Sequence, residues 1–251
     1  MRAEPSCRAG HEELRSRYRD ASMTRIIPLE TGADARVRNE GAPLAAVLAN
    51  GGTARPLPGT WSATSELLAS ELAPRFGEIE LIELRYRVKT WNQLESCMAD
   101  VVAVLELAWR DGARECLLVG FSMGGAVSIG VAGHDAAAAV LGLAPWIPDR
   151  LPLDGLRGKR FDVIHGAWDR FLPGIPGVSP DNSRRGYERA RAIGVEGTYT
   201  LIPRGLHGAA VRSPFGDILR LPGWRRWVAL VGEGLERFQA SASAASLRRS
   251  S

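Results

Sequence analysis

Ser122 lies in Gly120-Phe121-Ser122-Met123-Gly124. The apolar run Cys116 to Val119 precedes it, and a helical pattern through Met123, Ala126, Val127, Val131 and Ala132 follows. Strand, sharp turn and helix in that order are what a nucleophile elbow, G-x-S-x-G, requires. Glycine two residues before and after the serine leaves room for a turn in which a Cβ would strike the neighbouring strand or helix. The hydroxyl is then exposed at the strand's C-terminal end, above a helix N-terminus that favours developing negative charge. A phosphate-cradling loop is one alternative, but it needs Lys-Ser/Thr after its last glycine or a G-x-G-x-x-G spacing. Here Ala126 follows Gly125, and Gly120, Gly124 and Gly125 lack that spacing. A close-packed turn without chemistry is the other alternative.

Serine needs a histidine base, and the histidine needs a carboxylate that holds its tautomer and stabilises the imidazolium. After an elbow of this kind the expected chain order is serine, acid, histidine. His11 and His134 are poorly placed, and His165 comes before the acid position; it reads as a packed or capping residue at a strand end. His207, in Pro203-Arg204-Gly205-Leu206-His207-Gly208, fits the order. The acid is expected at Asp169, just past the strand Phe161 to His165. Asp162 sits at the other end of that strand, Asp181 reads as a helix N-cap, and Asp149 and Asp154 follow the preceding strand as the alternative placement.

An acyl-transfer oxyanion needs two preorganised backbone N–H donors. Met123, after the nucleophile, is one candidate. Gly52, in the loop Asn50-Gly51-Gly52-Thr53, is the other, with Thr53 second. Phe121, Trp146, Trp168 and Phe171 lie near these positions and are candidate pocket residues, although aromatic side chains at such places also serve as ordinary packing.

Alternating strand and helix patterns must position these groups. Strands are expected at Thr24 to Leu29, Ala35 to Asn39, Leu44 to Ala49, Ile79 to Tyr86, Cys116 to Val119, Ala138 to Leu143, Phe161 to His165 and Gly197 to Ile202. Helices are expected around Ser62 to Ala73, over Gln93 to Arg110, from Ser122 to about Gly133, over Asp181 to Ile193 and over Trp224 to Phe238. In the second of these Leu94, Met98, Val101, Leu105 and Trp109 share a face. The pattern predicts an α/β fold with a mostly parallel sheet and helices on both faces. Ligands of such sheets collect at the C-terminal strand ends, where the Asn50 loop, the elbow, Asp169 and His207 would meet. Residues 1–22 read as a disordered extension, 23–239 as one domain and 240–251 as a flexible tail. Met23 is a candidate for the true start.

With these motifs in place, the chain resembles the α/β-hydrolase superfamily from about Thr24 to Gln239. The Gly-Phe-Ser-Met-Gly-Gly elbow, the His165-Gly-Ala-Trp-Asp169 stretch and Gly205-Leu206-His207 carry the resemblance. It is most similar to compact bacterial members of the serine-aminopeptidase and dienelactone-hydrolase kind. Leu143 to Trp146 and Tyr86 to Asn92 also resemble compact actinobacterial members. The resemblance implies the α/β-hydrolase fold and a catalytic triad. It departs from the family at Asn50-Gly51, where His-Gly is usual, at Phe121, where histidine is frequent, and at Ser122, where dienelactone hydrolases have cysteine. Only Ala144 to Arg160 separates Leu143 from Phe161, which leaves room for a loop and not a cap domain.

The implied function is a serine hydrolase of a small carboxylic ester, thioester or amide. Acyl transfer on the same triad is an alternative, as is a non-catalytic protein of this fold. The length of 251 residues suits one domain. A net charge of +4, with arginine dominant and lysine only at Lys89 and Lys159, shows no basic block; no nucleic-acid partner is expected. No apolar run is of membrane-spanning length, so no membrane partner is expected. Cys7, Cys97 and Cys116 show neither metal spacing nor a disulfide framework. The expectation is a cytoplasmic enzyme with no cofactor and no metal, acting on a small-molecule acyl substrate. The sequence leaves its oligomeric state unassigned.

Overall fold

Runs of apolar residues bounded by turns give the strands, and amphipathic stretches between them give the helices. The structure, a computed structural model, describes residues 24–170 and 177–249; the expected extension, 1–22, lies outside these. In chain order the elements begin β1 (Arg25–Pro28), β2 (Asp34–Arg38), β3 (Leu44–Ala49), β4 (Leu57–Pro58), α1 (Ala63–Leu72), β5 (Ile79–Arg85), β6 (Val88–Lys89) and α2 (Leu94–Arg110). Next come β7 (Glu115–Phe121), α3 (Met123–Gly130), β8 (Ala137–Leu143), β9 (Arg160–Gly166), α4 (Pro180–Ala192), β10 (Tyr199–Ile202), β11 (Ala210–Arg212), β12 (Ile218–Arg220) and α5 (Trp224–Arg249).

Eight strands form one sheet in the order β1-β2-β5-β3-β7-β8-β9-β10. β2 is antiparallel to both its neighbours, and every other adjacent pair is parallel. Parallel strands must bury both faces. In β3, Ala45, Val47 and Ala49 enter one core with α2, α3 and α4, while Leu44, Ala46 and Leu48 enter the other with α1 and α5. In β7, Cys116 and Leu118 face the first core, and Leu117 and Val119 the second. Both phases of the two-residue period are apolar, which is why these strands read as unbroken hydrophobic runs.

Register then sets the functional rim. Ala49 pairs with Gly120, Phe121 with Leu143, and Gly166 with Ile202. The loops after β3, β7, β8, β9 and β10 therefore leave the same edge of the sheet. The connection from β8 to β9 carries only a 3₁₀ turn at Asp154–Leu156, so it forms no cap domain. No described helix is long and apolar enough to cross a membrane.

Several elements differ from the sequence reading. The buried face of α2 is Cys97, Val101, Val104, Leu105 and Ala108, and Trp109 is 59% exposed. At 100° per residue Trp109 falls about 90° from the centre of that face. α3 stops at Gly130 rather than near Gly133. The chain then turns, with the His134 N–H donating to the Val131 carbonyl at 3.0 Å. The N-cap of α4 is Ser179, whose hydroxyl accepts from the Asp181 N–H; Asp181 lies in the first turn. α5 continues through the stretch read as a tail, 240–249, because alanine favours helix and Ala242 is buried against the second core. The antiparallel pairs β4–β6 and β11–β12 are too short to show a period in sequence.

Glu80 of β5 is fully buried opposite Ala45. Among the described residues no well-formed hydrogen bond reaches its carboxyl oxygens. Burial first, then Asp111 and Glu40, pushes its carboxyl up to about 8. Between the unfolded carboxylate value, roughly 4.3, and that value the folded chain holds a proton that the unfolded chain releases, so stability falls as pH rises. Glu80→Gln removes this dependence and is expected to be more stable than wild type at pH 8, by on the order of 3 kcal/mol. Urea melts of both proteins at pH 5 and pH 8 test this; equal pH slopes would exonerate Glu80.

Candidate active site

The elbow is as tight as its sequence requires. Ser122 has φ 56° and ψ −119°, a conformation few non-glycine residues adopt and one held only by surrounding contacts. Its N–H donates to the Leu143 carbonyl, and its own carbonyl accepts from the Gly125 and Trp146 N–H groups, each at 2.9 Å. A Cβ on Gly120 would overlap the Gly124 carbonyl, and one on Gly124 would overlap the Ala49 carbonyl. The strand, the turn and the loop after β3 are thus in backbone contact around Ser122.

Asp169 and His207 meet on the same rim. The His207 Nδ1 lies 2.6 Å from Asp169 Oδ2. A carboxylate only accepts, so Nδ1 carries the proton and Nε2 is free to accept one. The Val178 N–H donates to Asp169 Oδ1 at 3.1 Å. Asp169 is buried and His207 is partly exposed. Burial raises the Asp169 carboxyl, but hydrogen bonds from His165 and His207 outweigh it and hold the group below its ordinary range. A carboxylate depressed in the folded state stabilises the fold above its unfolded value, and that stability is lost as pH falls through the folded value.

Sequence reasoning missed the contact between His165 and Asp169. His165 is not merely packed at the strand end: its Nε2 lies 3.0 Å from the same Asp169 Oδ2. The other acids lie elsewhere. Asp162 Oδ1 accepts from the Thr198 N–H and hydroxyl at 2.7 and 2.9 Å, and Asp149 and Asp154 are exposed.

The loops that carry these groups are fixed. The Thr64 hydroxyl of α1 accepts from the Ala209 and Ala210 N–H groups, both at 3.2 Å, and pins the chain just after His207. The Phe121 ring lies on the His207 ring with centroids 4.9 Å apart. Asn50 stands where histidine is usual and is buried. Its side chain donates to the Leu84 carbonyl, accepts from the Ser65 hydroxyl at 2.8 Å, and so holds the loop after β3.

A cavity of about 470 Å³ opens among these loops. Ser122, Met123, His207, Gly51 and Gly52 line it, together with Phe121, Trp91 and Trp146. Of the pocket aromatics expected from sequence, Phe121 and Trp146 are there. Trp168 is 54% exposed and does not line the cavity, because Asp169 beside it takes the inward position. Phe171 lies outside the described residues. Trp91 is the aromatic the sequence left unassigned; its ring is 6.4 Å from that of Trp146. Among the described lining residues none carries a carboxylate, ammonium or guanidinium. A second cavity of about 520 Å³, beside the last turns of α2 and the start of β8, has no serine and no cysteine among its described lining residues.

No protein-family profile and no curated protein matches the sequence. Solved structures do match in fold. A sugar hydrolase from Lactococcus lactis is 17% identical with a TM-score of 0.62, over 87% of this chain and 99% of that one. A lidless α/β serine hydrolase from Xanthomonas campestris is 18% identical with a TM-score of 0.55, over 74% and 85%. A thermophilic esterase from Thermogutta terrifontis is 14% identical with a TM-score of 0.61, over 87% and 95%. The single antiparallel β2 in an otherwise parallel sheet, the strained serine turn after β7 and these neighbours lead to one conclusion: the chain has the α/β-hydrolase fold.

Proposed function

We propose that this protein is a serine hydrolase that cleaves a small carboxylic ester, thioester or amide through an acyl-enzyme intermediate. Ser122 is the nucleophile, His207 the base and Asp169 the acid that orients it. The supporting observation is the 2.6 Å bond from His207 Nδ1 to a buried carboxylate, in a cavity shared with a serine held in a strained turn. With Nδ1 engaged, Nε2 takes the Ser122 proton as Oγ attacks the carbonyl carbon. It returns that proton to the leaving group as the carbon–heteroatom bond breaks. Water repeats the sequence and releases the acid. Oγ and Nε2 must close to hydrogen-bond distance with substrate bound, a tightening that unliganded sites commonly require. The backbone N–H groups of Met123 and Gly52, both at the cavity wall, are the proposed oxyanion donors.

The aromatic, uncharged lining and the absence of a cap from the β8–β9 connection favour neutral esters with short or medium acyl groups. Cys97 and Cys116 are free thiols, in keeping with the reducing cytoplasm proposed as its setting.

Treatment with a fluorophosphonate should add one adduct, located on Ser122 by peptide mapping. Labelling elsewhere, or none in folded protein that also ignores p-nitrophenyl acetate and butyrate, would refute the assignment. A second expectation concerns pH. With Asp169 held ionised, kcat/KM for p-nitrophenyl butyrate should rise with pH through a single ionisation, the loss of a proton from the base. A profile that falls over that interval would exclude a histidine base.

A further inference from the structure

His165 stands outside the chemistry just described, yet it is fully buried and touches the acid. Its Nε2 lies 3.0 Å from Asp169 Oδ2 and 2.9 Å from the Val178 carbonyl oxygen. Both neighbours only accept, so Nε2 carries a proton. Its Nδ1 lies 2.7 Å from the hydroxyl of Ser183, which is also fully buried. That hydroxyl is 2.9 Å from the Tyr199 hydroxyl and 3.0 Å from the Pro180 carbonyl. Tyr199 in turn donates to the Pro180 carbonyl at 2.9 Å. With the Ser183 hydrogen turned to Nδ1 and the Tyr199 hydrogen turned to Pro180, every polar group in the chain of contacts is satisfied by a neutral His165.

We propose that His165 is a positioning residue for the acid. It donates Nε2–H to Asp169 Oδ2, with Ser183 holding the ring, and so fixes the carboxylate plane that His207 reads. This rests on the reading of Asp169 as the orienter of His207.

The geometry explains why a second imidazole matters. One donor on Oδ1, the Val178 N–H, and two on Oδ2 hold the carboxylate plane more firmly than Val178 and His207 alone would. Hydrogen bonds from both imidazoles also hold the Asp169 carboxyl below its ordinary range, against the burial that raises it. The groups around His165 are Asp169 and the Val178 carbonyl, Ser183 and the Pro180 carbonyl from α4, and Tyr199 from β10. Arg184 lies over the Tyr199 ring at 4.3 Å, and Asp181 and Glu188 act on the same phenol. His207 meets the same Oδ2 of Asp169.

The test compares wild type, His165→Leu and His165→Gln, with p-nitrophenyl butyrate as substrate and thermal melts as the folding control. His165→Leu should lower kcat by about 10- to 100-fold, as loss of a partner behind a functional ligand does at metal sites. KM should stay within about threefold, since the ring does not line the cavity. The acid limb of kcat/KM should move to higher pH, because a carboxylate that loses the His165 hydrogen bond is more basic toward its remaining partner. His165→Gln can place an amide N–H where Nε2 was and should restore most of kcat and the original limb. A proton NMR readout needs no turnover: the far-downfield His207 Nδ1–H resonance should move in the leucine variant and return in the glutamine variant. If wild type hydrolyses nothing, the hydrolase reading fails while this resonance still decides the positioning role. A leucine variant with unchanged kcat, limb and resonance overturns the proposal. So does a folded glutamine variant as impaired as the leucine one, which would mean that ring shape alone mattered. Should neither variant fold, Ser183→Ala strips the partner from Nδ1; a smaller displacement of the same resonance supports the proposal, and none overturns it.

Discussion

Ser122→Ala is expected to abolish fluorophosphonate labelling and to lower kcat by on the order of 10⁴- to 10⁶-fold, as nucleophile removal does in subtilisin. What remains would be turnover from the oxyanion donors and binding alone. The fold should survive. Alanine keeps the Cβ, so the positive φ of 56° costs no more than it does for serine. Intact-mass labelling and ester turnover, read beside thermal melts of both proteins, make the comparison. An alanine variant that melts like wild type yet still takes the probe would mean that another residue is the nucleophile.

The second large effect belongs to Asp169→Asn. Asp169 faces donors only: His207 Nδ1–H and His165 Nε2–H at Oδ2, and the Val178 N–H at Oδ1. An asparagine must turn its NH₂ toward at least one of them. At the Oδ1 position that NH₂ would face the Val178 N–H; at the Oδ2 position it would face both imidazoles, and His207 would adopt the other tautomer, whose Nε2 can no longer accept a proton. In serine proteases this change costs about 10⁴-fold in kcat. With His165 still able to hold the amide oxygen in place, a loss of about 10²- to 10⁴-fold is expected, or roughly 3 to 5 kcal/mol in the barrier. The mismatched donor also costs stability, on the order of 1 to 3 kcal/mol. Asp162→Asn should do the opposite. Asp162 holds Thr198 and pairs with Arg160, so its loss should lower the melting temperature and leave turnover close to wild type. If Asp169→Asn keeps near-normal kcat while Asp149→Asn or Asp154→Asn is crippled, the acid lies on the earlier loop.

The parts of this arrangement legible in sequence are those with a steric or periodic cause. The elbow was visible because Gly120 and Gly124 are demanded by backbone contact. β3 and the Cys116 to Val119 stretch of β7 were visible because burial on both faces makes them apolar. The placing of Asp169 and His207 on one rim followed from the chain order expected after such an elbow. What stayed hidden depends on contacts distant in sequence. Nothing local to His165 shows that Ser183 and Tyr199 converge on it. Trp91 joins the cavity only because the segment after β6 folds back on the β3 loop, with its N–H donating to the Thr53 carbonyl at 3.1 Å. β11 and β12, at three residues each, are too short to display alternation. Trp109 misled because a stripe chosen at helical spacing drifts around α2 by its last turn.

The two tryptophans of the cavity hang from different backbones. Trp146 is tied through its N–H to the carbonyl of Ser122 itself, and Trp91 to that of Thr53. Neither wall rests on a free loop, so the gap between the rings is set by the spacing of sheet-anchored chain. For anyone redesigning this protein, the usual route to bulkier substrates, lengthening or reshuffling a loop, would drag the serine or the Gly51–Gly52 segment along with it. Trimming the rings is the economical route: Trp91→Ala or Trp146→Ala widens the chamber and leaves the main-chain ties untouched.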